Sequence, residues 1–251
     1  MTSIAFRRAA APFLLAAGLA LAACGDKADE GAASGNSAAP AGPAVPAPAG
    51  GWAEQVRVTA DGGMLMGNPD APVKLIEFAS MTCPHCADFQ KTGGQQIENQ
   101  YVASGRVSYE FRNYVRDPYD LAASLLARCG GPGPFFKLTA QMLAAQEEWM
   151  GKLQAMPPAE EERLSKLPPA QMVPALAQAA GLDAFVAQRG IGADKARQCL
   201  TSQAAQDQLI AMRDKGDAMG ISGTPTFFVN GEKVDGADWL ALEPKLRAAG
   251  G

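Results

Sequence analysis

The chain holds a single histidine, His85, among its 251 residues. A Ser–His or Cys–His hydrolase needs a base delivered from elsewhere in the fold, and no histidine outside residues 83–86 exists to serve. A phosphate-cradling glycine loop of the GxxxxGK type is missing, and so is the HExxH pattern of helical zinc sites. Basic residues give no surplus: 22 Lys and Arg face 26 Asp and Glu, a formal charge of −4. That balance argues against nucleic acid as the main partner. No apolar run reaches the ~20 residues of a membrane-spanning helix, and no segment repeats.

The amino terminus reads as an export signal. Arg7 and Arg8 precede a short run, Ala9 to Ala23, dominated by Ala and Leu, and residues 1–23 match a secretory signal peptide. The run closes in Leu21-Ala22-Ala23-Cys24-Gly25, a spacing that resembles the bacterial lipobox. On that reading Cys24 carries lipid after cleavage and ties the protein to a membrane surface without spanning it. An ordinary small-residue cleavage site beside a chance Cys is the other reading. Residues 24–51 are Ala, Gly, Pro and Ser with a few charges, lack apolar periodicity, and read as a flexible linker. The folded part is expected to span 52–251.

Val73 to Ala79 is short, β-branched and aromatic after Pro69 and Pro72, the pattern of a buried strand. Pro84 suits the first turn of a helix, expected to run to about Val102 with Gly93-Gly94 loosening its middle. Arg106 to Val115 reads as a second strand, parallel to the first across a right-handed crossover. About 118–220 is helical in character, broken at Pro157-Pro158 and Pro168-Pro169. Asn230-Gly231 between Thr226–Val229 and Glu232–Val234 signals a hairpin, and Asp238 to Ala249 a closing helix. The fold class is therefore α/β: a small mixed sheet flanked by helices, with an inserted helical domain.

Cys83-Pro84-His85-Cys86 lies where the first strand gives way to the first helix. Two intervening residues let the sulfurs meet across one helical turn, so a disulfide opens and closes with little backbone movement. At a helix start the first sulfur faces unsatisfied N–H groups and the positive end of the helix dipole, which favour its thiolate. His85, when charged, adds to this. A stabilised thiolate stabilises the reduced form and makes the disulfide an oxidant. Cys83 is expected to be exposed and to meet the substrate, with Cys86 buried behind it. Half a zinc site is an alternative, but zinc needs two further ligands and no second close pair is present. An inert structural disulfide is another. No cofactor and no metal is expected.

Two further cysteines, Cys129 and Cys199, make an even count in an oxidising compartment once Cys24 and the Cys83/Cys86 pair are set aside. A bridge between them would close a loop of about 70 residues and favour the folded state by ~4 kcal/mol. Two free buried thiols are the alternative.

Strand Val73–Ala79, Cys83-Pro84-His85-Cys86 and Gly223-Thr224-Pro225-Thr226-Phe227-Phe228-Val229-Asn230-Gly231 together resemble the DsbA-type branch of the thioredoxin superfamily. The resemblance runs from about Trp52 to the end. It implies a thioredoxin-like fold and a cis Pro225 beside the cysteine pair. It also implies that the Thr224 backbone pairs with a substrate peptide like an added strand. A plain turn before a strand is the other reading of Thr224-Pro225. Glu77, six residues before Cys83, stands where relatives carry an acid and is a candidate proton relay to Cys86. A solvent-facing acid, or one paired with a base, is equally open. Some DsbA-like proteins carry a second, non-catalytic disulfide in the helical domain, and Cys129–Cys199 looks similar.

The leading expectation is a periplasmic, membrane-tethered dithiol oxidase of exported proteins, re-oxidised, as the resemblance implies, by a quinone-linked membrane partner of the DsbB type. A reductase or isomerase using the same pair is the second reading, and a thiolate carrier of copper or zinc the third.

Overall fold

The computed structural model describes residues 43–251. The signal segment 1–23, Cys24 and most of the linker 24–51 lie outside the described residues.

Six strands form one mixed sheet in the order β1-β2-β4-β3-β5-β6. They are β1 (Val56–Val58), β2 (Met64–Met66), β3 (Val73–Ala79), β4 (Val107–Asn113), β5 (Thr226–Val229) and β6 (Glu232–Lys233). Only β3 and β4 pair in parallel, and the other neighbours are antiparallel. The parallel pair sits at the centre because its crossover helix covers one face. The edges are the three-residue β1 and the two-residue β6, too short to invite pairing with another chain. Sequence reading misses β1 and β2: three residues are too few for a period of two to register.

The β3–β4 crossover begins as α1 (Pro84–Phe89) and passes into π-type turns at Gln90–Gly94 and Ile97–Val102. The expected single helix is thus present but widened. Gly93 allows the widened turn to sit against the last helix: a Cβ there would lie 2.8 Å from the Phe89 ring and 2.9 Å from Trp239.

Between β4 and β5 stand eight helices: α2 (Pro118–Arg128), α3 (Pro132–Ala144), α4 (Gln146–Gln154), α5 (Pro158–Ser165), α6 (Pro169–Ala179), α7 (Leu182–Ala187), α8 (Ala193–Thr201) and α9 (Gln203–Ala218). Asp117 caps α2 by accepting from the Asp120 amide, and Ser202 caps α9. Asn230 (φ 51) and Gly231 (φ 86) take the left-handed conformations that a tight two-residue hairpin needs. Asp238 caps α10 (Trp239–Ala248).

The main core packs one sheet face against α1, α2, α3 and α10, and Phe78, Ile221 and Phe228 form a smaller cluster. Ordered packing reaches back to Val45, whose amide donates to the Ser104 carbonyl at 2.8 Å and whose carbonyl accepts from the Trp52 indole at 3.1 Å. The packed chain thus begins seven residues ahead of the expected Trp52 start, because Trp52 needs a partner for its N–H. Among the described residues no helix is long and apolar enough to cross a membrane.

Candidate active site

β3 ends at Ala79, and Ser80, Met81 and Thr82 carry the chain into Cys83, the N-cap of α1. Cys83 is extended (φ −85°, ψ 120°) and Pro84 takes the first helical position, where its missing N–H costs nothing. The amides of Cys86 and Ala87 donate to the Cys83 carbonyl at 3.1 and 3.2 Å. This turn brings the two thiols together, and both are free.

The two sulfurs have opposite environments. The Cys83 thiol is pulled from 9.0 down to about 5, first because the Cys86 thiol donates to it. The Thr224 hydroxyl, the Cys86 amide and the Arg116 cation act in the same direction, against burial. Cys86 is pushed far above the ordinary thiol range, chiefly by burial and then by the same bond and the nearby Glu77. One sulfur is thus held as an anion and the other as a thiol.

Cys83 is not exposed as the sequence suggests: only 3 % of its surface is accessible. Antiparallel pairing of β5 with β3 carries the Thr224-Pro225 segment over the start of α1. The Cys83 Sγ consequently lies 3.1 Å from the Thr224 carbonyl, to which it donates when it is protonated. The Thr224-Pro225 bond is cis. The Thr224 hydroxyl is buried without another partner, which leaves it free to donate to the thiolate. Cys86 is 1 % exposed and its sulfur accepts from the Ser80 amide at 3.5 Å. Pro84 and His85 lie on the surface, and no hydrogen bond joins His85 to either sulfur.

Glu77 neither faces solvent nor meets a base. It is 3 % exposed and accepts a hydrogen bond from the Tyr109 hydroxyl on β4. Burial lifts its carboxyl from 4.5 to about 7, opposed by that bond. Cys129, at the end of α2, and Cys199, on α8, are joined as a disulfide with their Cα atoms 5.7 Å apart.

Three residues around the site escape sequence reading. The buried Gln146 amide on α4 donates to the carbonyls of Met81 and Cys83 at 2.8 and 2.9 Å, which pins the turn to the helical block. The Asp120 carboxylate accepts from the Met81 amide at 2.8 Å and the Arg116 amide at 3.0 Å. Burial raises Asp120 to about 6. The Arg116 guanidinium donates to Ser80 Oγ at 3.0 Å and Thr82 Oγ1 at 3.2 Å, beside Cys83. All three come from beyond β4, and nothing local in the sequence ties them to residues 80–83. Among the described residues no group of three or more His, Cys, Asp and Glu side chains is placed to hold a metal.

The family model described as thioredoxin matches residues 59–242. A Rickettsia felis protein named "Putative protein-disulfide oxidoreductase" is 29 % identical over 173 residues, 68 % of this chain and 54 % of its own. The Rickettsia prowazekii counterpart is 28 % identical over 177 residues, 70 % of this chain and 57 % of its own. The chain therefore spans little more than half the length of these relatives. Among solved structures, a protein-disulfide isomerase from Novosphingobium aromaticivorans is 34 % identical with a TM-score of 0.72, covering 76 % of this chain and 98 % of that one. Wolbachia pipientis alpha-DsbA1 shares the fold at 21 % identity and a TM-score of 0.61, over 76 % of this chain and 92 % of its own.

Proposed function

Because this chain belongs to the thioredoxin family and has a DsbA-like fold, we propose that it is a thiol–disulfide oxidoreductase, working as a dithiol oxidase of exported proteins through Cys83 and Cys86. The observation that carries this reading is the asymmetry of the pair, with the Cys83 thiol drawn down to about 5 and the Cys86 thiol pushed up. An anion so favoured is a good leaving group, and it drives electrons from substrate thiols into the protein.

In the oxidised protein a substrate thiolate attacks Cys83 Sγ. The Cys83–Cys86 bond breaks and its electron pair leaves on Cys86. Cys86 cannot remain an anion in its buried site, so Glu77, neutral up to about pH 7, gives it a proton. A second substrate thiolate then attacks the substrate sulfur of the mixed disulfide and releases Cys83 as a thiolate. The substrate leaves with a disulfide, and the protein holds two electrons more and, once Glu77 has regained a proton from solvent, one proton more. The Thr224 backbone, beside the sulfur, is where an extended substrate would add as a strand. His85 adds positive charge on the exposed side when protonated. Re-oxidation falls to a quinone-linked membrane partner of the DsbB type. The chain works in the periplasm, tethered through a lipidated Cys24 and the linker that follows.

A reductase or isomerase reading is favoured by the similarity to the Novosphingobium protein, which is named a protein-disulfide isomerase. Equilibration with glutathione redox buffers separates the two. Oxidation predicts a potential near the strong oxidants, about −120 mV, whereas one near about −270 mV would reverse the direction. Metal analysis of the reduced protein tests the thiolate-carrier alternative.

A further inference from the structure

Cys86 is 1 % exposed and Glu77 3 %, so neither exchanges protons directly with bulk water. In the oxidase cycle, every half-reaction nevertheless moves a proton to or from Cys86. Substrate covers the Cys83 side at that moment. A second way in is needed.

The sheet supplies one. In the parallel register Leu75 faces Tyr109 and Glu77 faces Phe111, so Glu77 and Tyr109 share one face of the sheet. The Tyr109 hydroxyl donates to Glu77 Oε2. Tyr109 is 4 % exposed, yet it also lines a cavity of about 770 Å³ between β1, β2, the π turns after α1, and α3. Thr139 lines the same cavity from α3; it is 2 % exposed and its hydroxyl has no partner within the protein. A buried hydroxyl left unpaired costs ~1–3 kcal/mol. A water held in a cavity of this size would supply the missing partner. Gln90 and Gln141 continue the polar lining.

We propose that Tyr109 is the station through which protons pass between Glu77 and water in this cavity, giving the buried cysteine a solvent connection on the side away from the substrate. The inference rests on the oxidoreductase reading and on Glu77 as its acid. When Cys86 leaves as a thiolate, the Glu77 carboxyl proton moves to sulfur. The Tyr109 hydroxyl proton moves to Glu77, and a proton from cavity water replaces it on Tyr109. One proton is drawn from solvent, and no electrons travel along this path. Re-oxidation runs it backwards. Glu77 is faced by Tyr109 from β4 and by Cys86 from α1. The cavity also meets Glu54, Lys91, Glu98 and Lys137, which set its potential. Tyr109 touches none of the reacting sulfurs and is a positioning residue.

The test uses the full oxidised chain and follows its single-turnover reduction by dithiothreitol across pH. Tyr109→Phe keeps the ring and removes the hydroxyl. The expected result is a rate lower by about tenfold or more, the scale of an assisted proton transfer. The step assigned to Glu77 should also move to higher pH, since the lost bond favoured the carboxylate. The infrared carbonyl band of protonated Glu77, identified by its loss in Glu77→Gln, should persist to higher pH in the same variant. Thr139→Val should slow the reaction less. In a Glu77→Gln background, Tyr109→Phe should change nothing further. An unchanged rate and pH profile in a folded Tyr109→Phe protein, checked by its unfolding transition, would overturn the inference. Equal slowing with and without Glu77 would overturn it too. If Glu77→Gln alone leaves the rate untouched, the acid's assignment fails with it. If the wild-type chain exchanges no disulfide, the whole functional reading fails.

Discussion

Two pairs of cysteines in this molecule invite comparison. Cys83 and Cys86 stand three positions apart at the mouth of a helix, and Cys129 and Cys199 stand 70 apart between α2 and α8. Chain entropy separates them at once. Closing a 70-residue loop restrains the unfolded chain by ~4 kcal/mol, whereas a loop of four residues restrains it by about 2 kcal/mol on the same relation. The near pair therefore adds little when bonded and loses little when opened. Surroundings separate them further. A buried acid, an arginine and the Thr224 hydroxyl converge on the near pair. The far pair lies in packed helical structure, with Cys129 7 % exposed. On the proposed reading the same chemical group is set to exchange in one place and to hold in the other, by loop length and by neighbouring charge.

The comparison can be broken most decisively at Cys83. Cys83→Ser is expected to abolish dithiol exchange with a reduced peptide while the Cys129–Cys199 bridge and the fold remain; residual exchange through the far pair would erase the distinction. Next in size, Cys129→Ala is expected to lower stability in chemical unfolding by about 2–4 kcal/mol, with turnover retained. Lost turnover in a folded variant would show that the far bridge does more than hold.

A third test sharpens the charge argument. The Cys83 thiol titrates at about 5 in the folded reduced protein against 9.0 for an ordinary thiol. Between those values the unfolded chain keeps a proton that the folded chain has released, so this group stabilises the reduced form increasingly as pH rises. Its contribution is full above about pH 9 and is lost as pH falls through about 5. Glu77 works in the other sense, since its carboxyl stands at about 7 against 4.5 and stability falls as pH rises across that window. The oxidised form lacks the Cys83 contribution, so its Tm should fall behind that of the reduced form as pH rises from about 5 to 9. A constant Tm difference across that range would contradict the held thiolate. His85→Ala should raise the Cys83 pKa, measured by thiolate absorbance, and flatten the trend; an unaltered titration would remove His85 from the account.

Legibility follows range along the chain. Cys83-Pro84-His85-Cys86 after a β-branched strand can be read because all its signals fall within about 14 residues. Asn230-Gly231 is readable for the same reason, since two adjacent residues that tolerate positive φ are enough to define a turn. The π widening at Gln90–Gly94 is hinted at by Gly93-Gly94, but the ring that packs against Gly93 there, Trp239, lies 146 positions away. The burial of Cys83 depends on Thr224, 141 residues later, so local reading expects an exposed sulfur and misses its cover. Glu77 is legible as a position, while its partner is not: Tyr109 looks like any aromatic strand residue until β3 and β4 are placed in register.

The linear chain by itself determined where the candidate reactive sulfur sits, and on what kind of scaffold. Strand periodicity, proline at a helix start and an Asn-Gly turn are local preferences that act before any long-range contact forms. Only the tertiary structure decided how that sulfur behaves. Its acidity and its cover draw on Thr224 and Arg116, and its turn is pinned by Gln146, residues whose positions depend on packing the whole sheet and helical block. Electrostatic and hydrogen-bond energies depend on distance in space, which sequence separation does not report.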